Sequence, residues 1–122
     1  MITQISFIPE LIRQRILAFQ RPANTYTEGA SAITERDCKA AMAFLETAKM
    51  RIPKLEMPLS VSPSVRGGIA MHWKSAGYEL YTRISADSEG SAYYQWETPS
   101  GEYTYGESPE NELIKKLSII YA

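Results

Sequence analysis

The sequence predicts an α+β fold: an antiparallel β-meander of four strands, with room for a fifth, two N-terminal helices and one C-terminal helix, all packed on one face of the sheet. Three observations predict it. Apolar residues recur at helical spacing up to Pro53, alternate with polar ones from Ile69 to Tyr105, and return to helical spacing after Ser108. The alternating runs are joined by hairpin-length connections, and short connections force neighbouring strands to run antiparallel. A chain of 122 residues has the size of a single domain, here spanning residues 1–122.

In the first helix Ile8, Leu11, Ile12, Ile16 and Phe19 fall at three- and four-residue spacing, while Arg13, Gln14 and Arg15 lie opposite. That pattern predicts an amphipathic helix near Pro9 to Gln20, with Pro9 in the first turn, where its missing N–H costs nothing. Arg21, Pro22, Ala23 and Asn24 stop it, and a polar loop containing Gly29 runs to about Ala32. Thr34 followed by Asp37 resembles a capping box with Asp in place of the usual Glu or Gln. It opens a second helix whose buried stripe is Cys38, Ala41, Phe44, Leu45, Ala48 and Ile52, and Pro53 ends it.

Beyond Lys54 the period drops to two. Ile69, Met71 and Trp73 alternate with Ala70, His72 and Lys74; Tyr78, Leu80, Thr82 and Ile84 alternate with Glu79, Tyr81 and Arg83. A third run places Ala92, Tyr94 and Trp96 opposite Tyr93, Gln95 and Glu97, and Tyr103 with Tyr105 continue in a shorter fourth. The turns are Ser75-Ala76-Gly77, Asp87-Ser88-Glu89-Gly90 and Pro99-Ser100-Gly101. An additional short strand fits Leu59 to Ser62, between Pro58 and Pro63. The last helix is expected to open with Ser108 as cap and Pro109 at the first helical position. Glu110 and Glu112 would then meet the positive end of the dipole and Lys115 and Lys116 would lie toward the negative end. Its buried face is Leu113, Ile114, Leu117, Ile120 and Tyr121.

The lead-in Pro63-Ser64-Val65-Arg66-Gly67-Gly68-Ile69, followed by Trp73, Gly77-Tyr78-Glu79-Leu80, Ile84 and Asp87, resembles a hairpin pattern of small bacterial proteins of unknown function. In that pattern Pro-x-x-x-Gly-Gly-Ile precedes a strand ending in Trp and a second strand of the form Gly-x-Glu-Leu. The resemblance spans about 25 residues of the first hairpin, where exposed ribbons in general favour glycine turns and alternating apolar positions. It departs at His72, where the pattern prefers an acid. It implies a bacterial or phage source and carries no catalytic residues over.

Composition excludes several classes. The single cysteine, Cys38, forbids an internal disulfide framework, and with one histidine the usual Cys/His zinc sites cannot be assembled. No apolar run approaches the roughly 18 residues of a membrane span, and Met1 to Glu10 lacks the charged start and small-residue cleavage site of a signal peptide, so a cytoplasmic protein without membrane contact is expected. Gly67-Gly68 leads into a strand, not a helix, and no phosphate-binding loop follows from it. Glu107, Glu110 and Glu112 are explained by a helix start without a metal, and Cys38 falls on an apolar stripe where an inert thiol belongs. No cofactor is expected.

Charge and tyrosine distribution carry what functional signal there is. Residues 1–66 have a balance of +3 and residues 67–122 of −4, an asymmetry that speaks about partners and not about fold. Six of the eight tyrosines lie between residues 78 and 105, and parity puts Tyr81 and Tyr93 on the sheet face opposite Trp73 and Trp96, with His72, Arg83, Gln95 and Glu97 beside them. Tyrosine concentrates at interfaces because it offers large contact area at low entropic cost. The primary expectation is a non-enzymatic protein-binding domain of inhibitor or immunity type, acting on a basic or nucleic-acid-binding protein through His72, Tyr81, Arg83, Tyr93 and Gln95. The acidic balance of the strand-bearing half disfavours nucleic acid on the sheet. Two alternatives stand beside it: an enzyme using His72 as acid or base with Glu79 or Glu97, and weak nucleic-acid binding through Arg13, Arg15 and Arg21. The strand edges also leave pairing with a second copy open.

Overall fold

A computed structural model of the protein describes residues 8–25, 28–88 and 90–122. The readings of the opening stretch before residue 8, of residues 26 and 27 in the polar loop and of residue 89 in the third connection lie outside the described residues. Among the described residues three α-helices, α1 (Glu10–Leu17), α2 (Glu35–Arg51) and α3 (Glu110–Ile120), accompany five strands, β1 (Ser60–Pro63), β2 (Ile69–Ser75), β3 (Tyr78–Ile84), β4 (Ser91–Glu97) and β5 (Tyr103–Pro109). The strands form one antiparallel sheet in the order β1-β2-β3-β4-β5, so each hairpin connection joins immediate neighbours. The fold is α+β, as the change of period predicts.

α2 begins where the sequence places it. Thr34 Oγ1 accepts from the Asp37 N–H at 3.2 Å and Asp37 Oδ2 accepts from the Thr34 N–H at 2.8 Å, which completes the capping box with the shorter acid. The other oxygen, Asp37 Oδ1, accepts the Ala86 N–H at 2.9 Å. A buried carboxylate is tolerated because both oxygens are occupied. Cys38, Ala41, Phe44, Leu45, Ala48 and Ile52 are all buried, and the Cys38 thiol donates to the Ile16 carbonyl at 3.2 Å, seating α1 against α2.

Those helix residues share one cluster with Leu113, Ile114 and Leu117 of α3 and with the sheet residues Ile69, Met71, Trp73, Leu80, Ile84 and Trp96. Register explains the sorting: Trp73, Leu80 and Trp96 are cross-strand partners in one row, Met71, Thr82 and Tyr94 in the next. The buried Trp73 ring meets Phe44 at 6.3 Å between centroids, and its indole N–H donates to the Glu56 carbonyl at 3.0 Å, so no donor is stranded. Thr82 is the exception in this layer, because its buried hydroxyl has no hydrogen-bond partner among the described residues.

The glycine-bearing lead-in to β2 is a junction. Arg21 pairs through its backbone with Ile33, both bonds at 2.9 Å, and its guanidinium donates to the Ser64 carbonyl at 2.8 Å. The Ser31 N–H reaches the Val65 carbonyl at 2.8 Å. Gly68 sits at φ +77°, and a Cβ there would stand 2.5 Å from the Ile84 carbonyl oxygen, so the chain crosses the end of β3 at a distance only glycine permits.

Expectations at the element ends are corrected by pairing and capping. α1 stops at Leu17 and not near Gln20, because the Phe19 N–H turns back to the Ile16 carbonyl and Arg21 is already engaged with Ile33. Pro9 flanks α1 in an extended conformation instead of entering its first turn, and Leu11 faces solvent. Ser108 does not cap α3: β5 is as long as its neighbours and runs through Pro109, which pairs with Ser91, so Ser108 stays extended and its hydroxyl turns to the Pro109 carbonyl. Lys115 and Lys116 lie mid-helix because α3 continues to Ile120, and its last turn carries no basic residue. The additional strand exists as Ser60–Pro63, one residue later than Leu59 to Ser62.

Candidate functional site

The residues of opposite parity make up the outer face of the sheet. One row runs from Ser60 through His72, Tyr81 and Gln95 to Tyr105, and a second from Ala70 through Arg83 and Tyr93 to Glu107. A third runs from Lys74 through Glu79 and Glu97 to Tyr103. All five of the sequence-predicted residues, His72, Tyr81, Arg83, Tyr93 and Gln95, therefore stand on this one face, in two adjacent rows, and all are partly exposed.

Their side chains hold one another. The Tyr81 and Tyr93 rings meet edge to face at 6.3 Å and 74°, the favoured geometry for two quadrupoles. The Arg83 guanidinium lies 4.7 Å from the centre of the Tyr93 ring, and Gln95 Nε2 donates to the Tyr93 hydroxyl at 2.9 Å. Tyr93 is thus gripped by three neighbours. Next to this group His72 Nε2 and Glu79 Oε1 lie 2.7 Å apart, a diagonal pair across β2 and β3. Of the two carboxylates the sequence offers His72, the structure selects Glu79, on the adjacent strand β3, and leaves its row partner Glu97 one strand further away on β4.

Two tyrosines extend the face further than the sequence reading did. Tyr103 and Tyr105, 53% and 68% exposed, stand with ring centres 5.8 Å apart on β5. The signal was available: two positions apart in a strand they share a face, and pairing of Tyr103 with Glu97 and of Tyr105 with Gln95 fixes which one. The Tyr103 phenol is held above its ordinary range by desolvation, then by Tyr93, Tyr105 and Glu97. A depression of about 180 Å³ opens between the rows, lined by Glu79, Tyr81, Gln95, Glu97 and Tyr103 together with Trp96.

A larger hollow of about 320 Å³ lies between α2 and the start of α3, lined mainly by small or apolar side chains such as Ala40, Ala43, Phe44 and Ala86. Its polar members are Thr47, Ser85, Glu110 and Asn111, and Asn111 is already committed to Arg51 at 2.9 Å. Burial raises the Glu110 carboxyl above its ordinary value. It is a packing gap between two helices rather than a convergence of chemistry, and the outer face is the stronger candidate.

The basic residues of the first helix do not converge. Arg13 lies 3.7 Å from Glu10 and 3.9 Å from Glu46, and Arg15, two positions on, projects from the opposite side of the helix. Arg21 is drawn into the fold by Ser64. Cys38 is buried and its thiol pKa is raised, chiefly by desolvation and then by Asp37. Among the described residues no three of His, Cys, Asp and Glu come together as metal ligands, and no helix is long and apolar enough to cross a membrane. Compared with known protein families, curated proteins and solved structures, the chain matches none of them.

Proposed function

We propose that this protein is a non-enzymatic binding domain whose outer sheet face docks a basic partner protein, in an inhibitor or immunity-type role. One observation carries the reading: Tyr81, Arg83, Tyr93 and Gln95 are fixed by mutual contacts while remaining partly exposed, and Tyr103 and Tyr105 continue the same surface to the sheet edge. Side chains already held in place lose less freedom when a partner covers them, which is where interface affinity is usually spent. A bacterial or phage source, implied by the hairpin resemblance, suits such a role.

Affinity capture from an extract of the source cells, wild type beside Tyr81→Ala/Tyr93→Ala, tests it. The wild type should recover a partner that the double variant loses, with binding rebuilt from purified components; equal recovery by both proteins removes the face from the mechanism.

A second reading rests on the 2.7 Å contact between His72 and Glu79. An imidazole held by a carboxylate can pass a proton to a bound substrate. The depression beside Glu79 does not include His72 in its lining, which favours docking over proton transfer. Full biological activity of a His72→Ala variant would end this reading.

A further inference from the structure

Resting on the reading of the outer face as a docking surface, we propose that its occupant is an arginine-bearing segment of a basic protein, with one guanidinium seated in the depression between Glu79 and Glu97. The two carboxylates stand directly opposite each other on β3 and β4. Like charges in that position destabilise an antiparallel ladder. Of the two side chains only that of Glu79 has a partner, His72; the Glu97 carboxylate makes no ion pair or hydrogen bond among the described residues. Lys74 is the cross-strand neighbour of Glu79 and forms an ion pair with neither carboxylate. The repulsion is left for a docking cation to relieve.

Shape and chemistry narrow that cation. Tyr81 and Tyr103 line the depression together with the two acids. A guanidinium is planar, weakly hydrated and carries five donors, so it can lie against a tyrosine ring while its edge reaches carboxylates rooted on Cβ atoms about 5 Å apart. An ammonium meets the same site as a strongly hydrated point charge and gains less. The fold itself uses this pairing one row away, where Arg83 lies over Tyr93. The outer rows carry Glu79, Glu97 and Glu107 against Lys74 and Arg83, an acidic excess that favours a basic segment over a phosphate backbone.

The test titrates the isotope-labelled full chain with an acetylated, amidated Ser-Arg-Thr-Arg-Ser peptide and with its citrulline counterpart, which keeps the shape and loses the charge. With the arginine peptide the amide signals of Glu79, Tyr81, Gln95, Glu97 and Tyr103 should shift and saturate, with the citrulline peptide and the Glu97→Gln variant each weakening binding about tenfold. Equal binding of the two peptides, shifts mapping elsewhere, no saturation, or the same shifts produced by oligothymidylate or by dimerisation would overturn the assignment. If capture is lost in Tyr81→Ala/Tyr93→Ala while the arginine peptide is silent, the docking face stands and the guanidinium falls; if capture is also unchanged, both fall.

Discussion

Replacing Gly68 with alanine should cost the protein about 3 kcal/mol, and the loss can be built from two separable parts. At φ +77° an alanine occupies the left-handed region, which costs roughly 1–2 kcal/mol by itself. The new methyl would also stand 2.5 Å from the Ile84 carbonyl oxygen and 2.9 Å from Ser85 Cβ, where real Cβ atoms do not sit. Backbone must move, and the backbone concerned ends the β2–β3 ladder at the pair Ile69 and Ile84, where each weakened hydrogen bond is worth about 1 kcal/mol. Gly101→Ala is the control, because φ is +90° there and nothing lies within 4 Å of a Cβ, so only the backbone part applies. At about 4 °C per kcal/mol for a chain of this size, Gly68→Ala should melt about 12 °C below wild type and Gly101→Ala about 4–8 °C below it. Thermal unfolding followed by far-UV circular dichroism, with urea midpoints at unchanged slope, measures both. Equal losses in the two variants would refute the close-approach argument.

Two further outcomes follow from the core and from α3. Thr82→Val removes a buried hydroxyl without a partner while keeping its volume, and should raise stability by about 1 kcal/mol, read as a higher urea midpoint. Burial raises the folded Glu110 carboxyl above its unfolded value, so just above the ordinary value of 4.5 the native state binds more protons than the unfolded chain. Stability from this group is present at lower pH and is lost as pH rises through the raised folded value; Glu110→Gln should therefore gain on wild type between pH 4 and pH 7 in paired thermal melts.

Periodicity made the sheet legible because it depends only on strand geometry: one face buries Trp73, Leu80 and Trp96, so Tyr81 and Tyr93 must lie on the other. The α2 start was legible for a similar reason, since Thr34 and Asp37 are local partners. What stayed hidden was set by competition between distant segments. Ser108 and Pro109 carry the residue types of a helix start, yet pairing of Pro109 with Ser91 keeps them in the sheet. The second task of Asp37, bonding Ala86, and the approach of Gly68 to Ile84 join residues far apart in sequence, which no window of local pattern contains. At the candidate site the five residues were found by parity, whereas the depression required knowing that Glu97 and Tyr103 are cross-strand partners.

The carboxylate of Asp37 has one oxygen on its own helix and one on a residue 49 positions later. During synthesis the helical cap is therefore available as soon as α2 clears the ribosome, but its second oxygen waits until the end of β3 has emerged. The nascent helix carries a half-satisfied acid over that interval and becomes locked only when the sheet arrives. In the finished protein the same link should let the Ala86 amide exchange with deuterated solvent only when helix and sheet separate together.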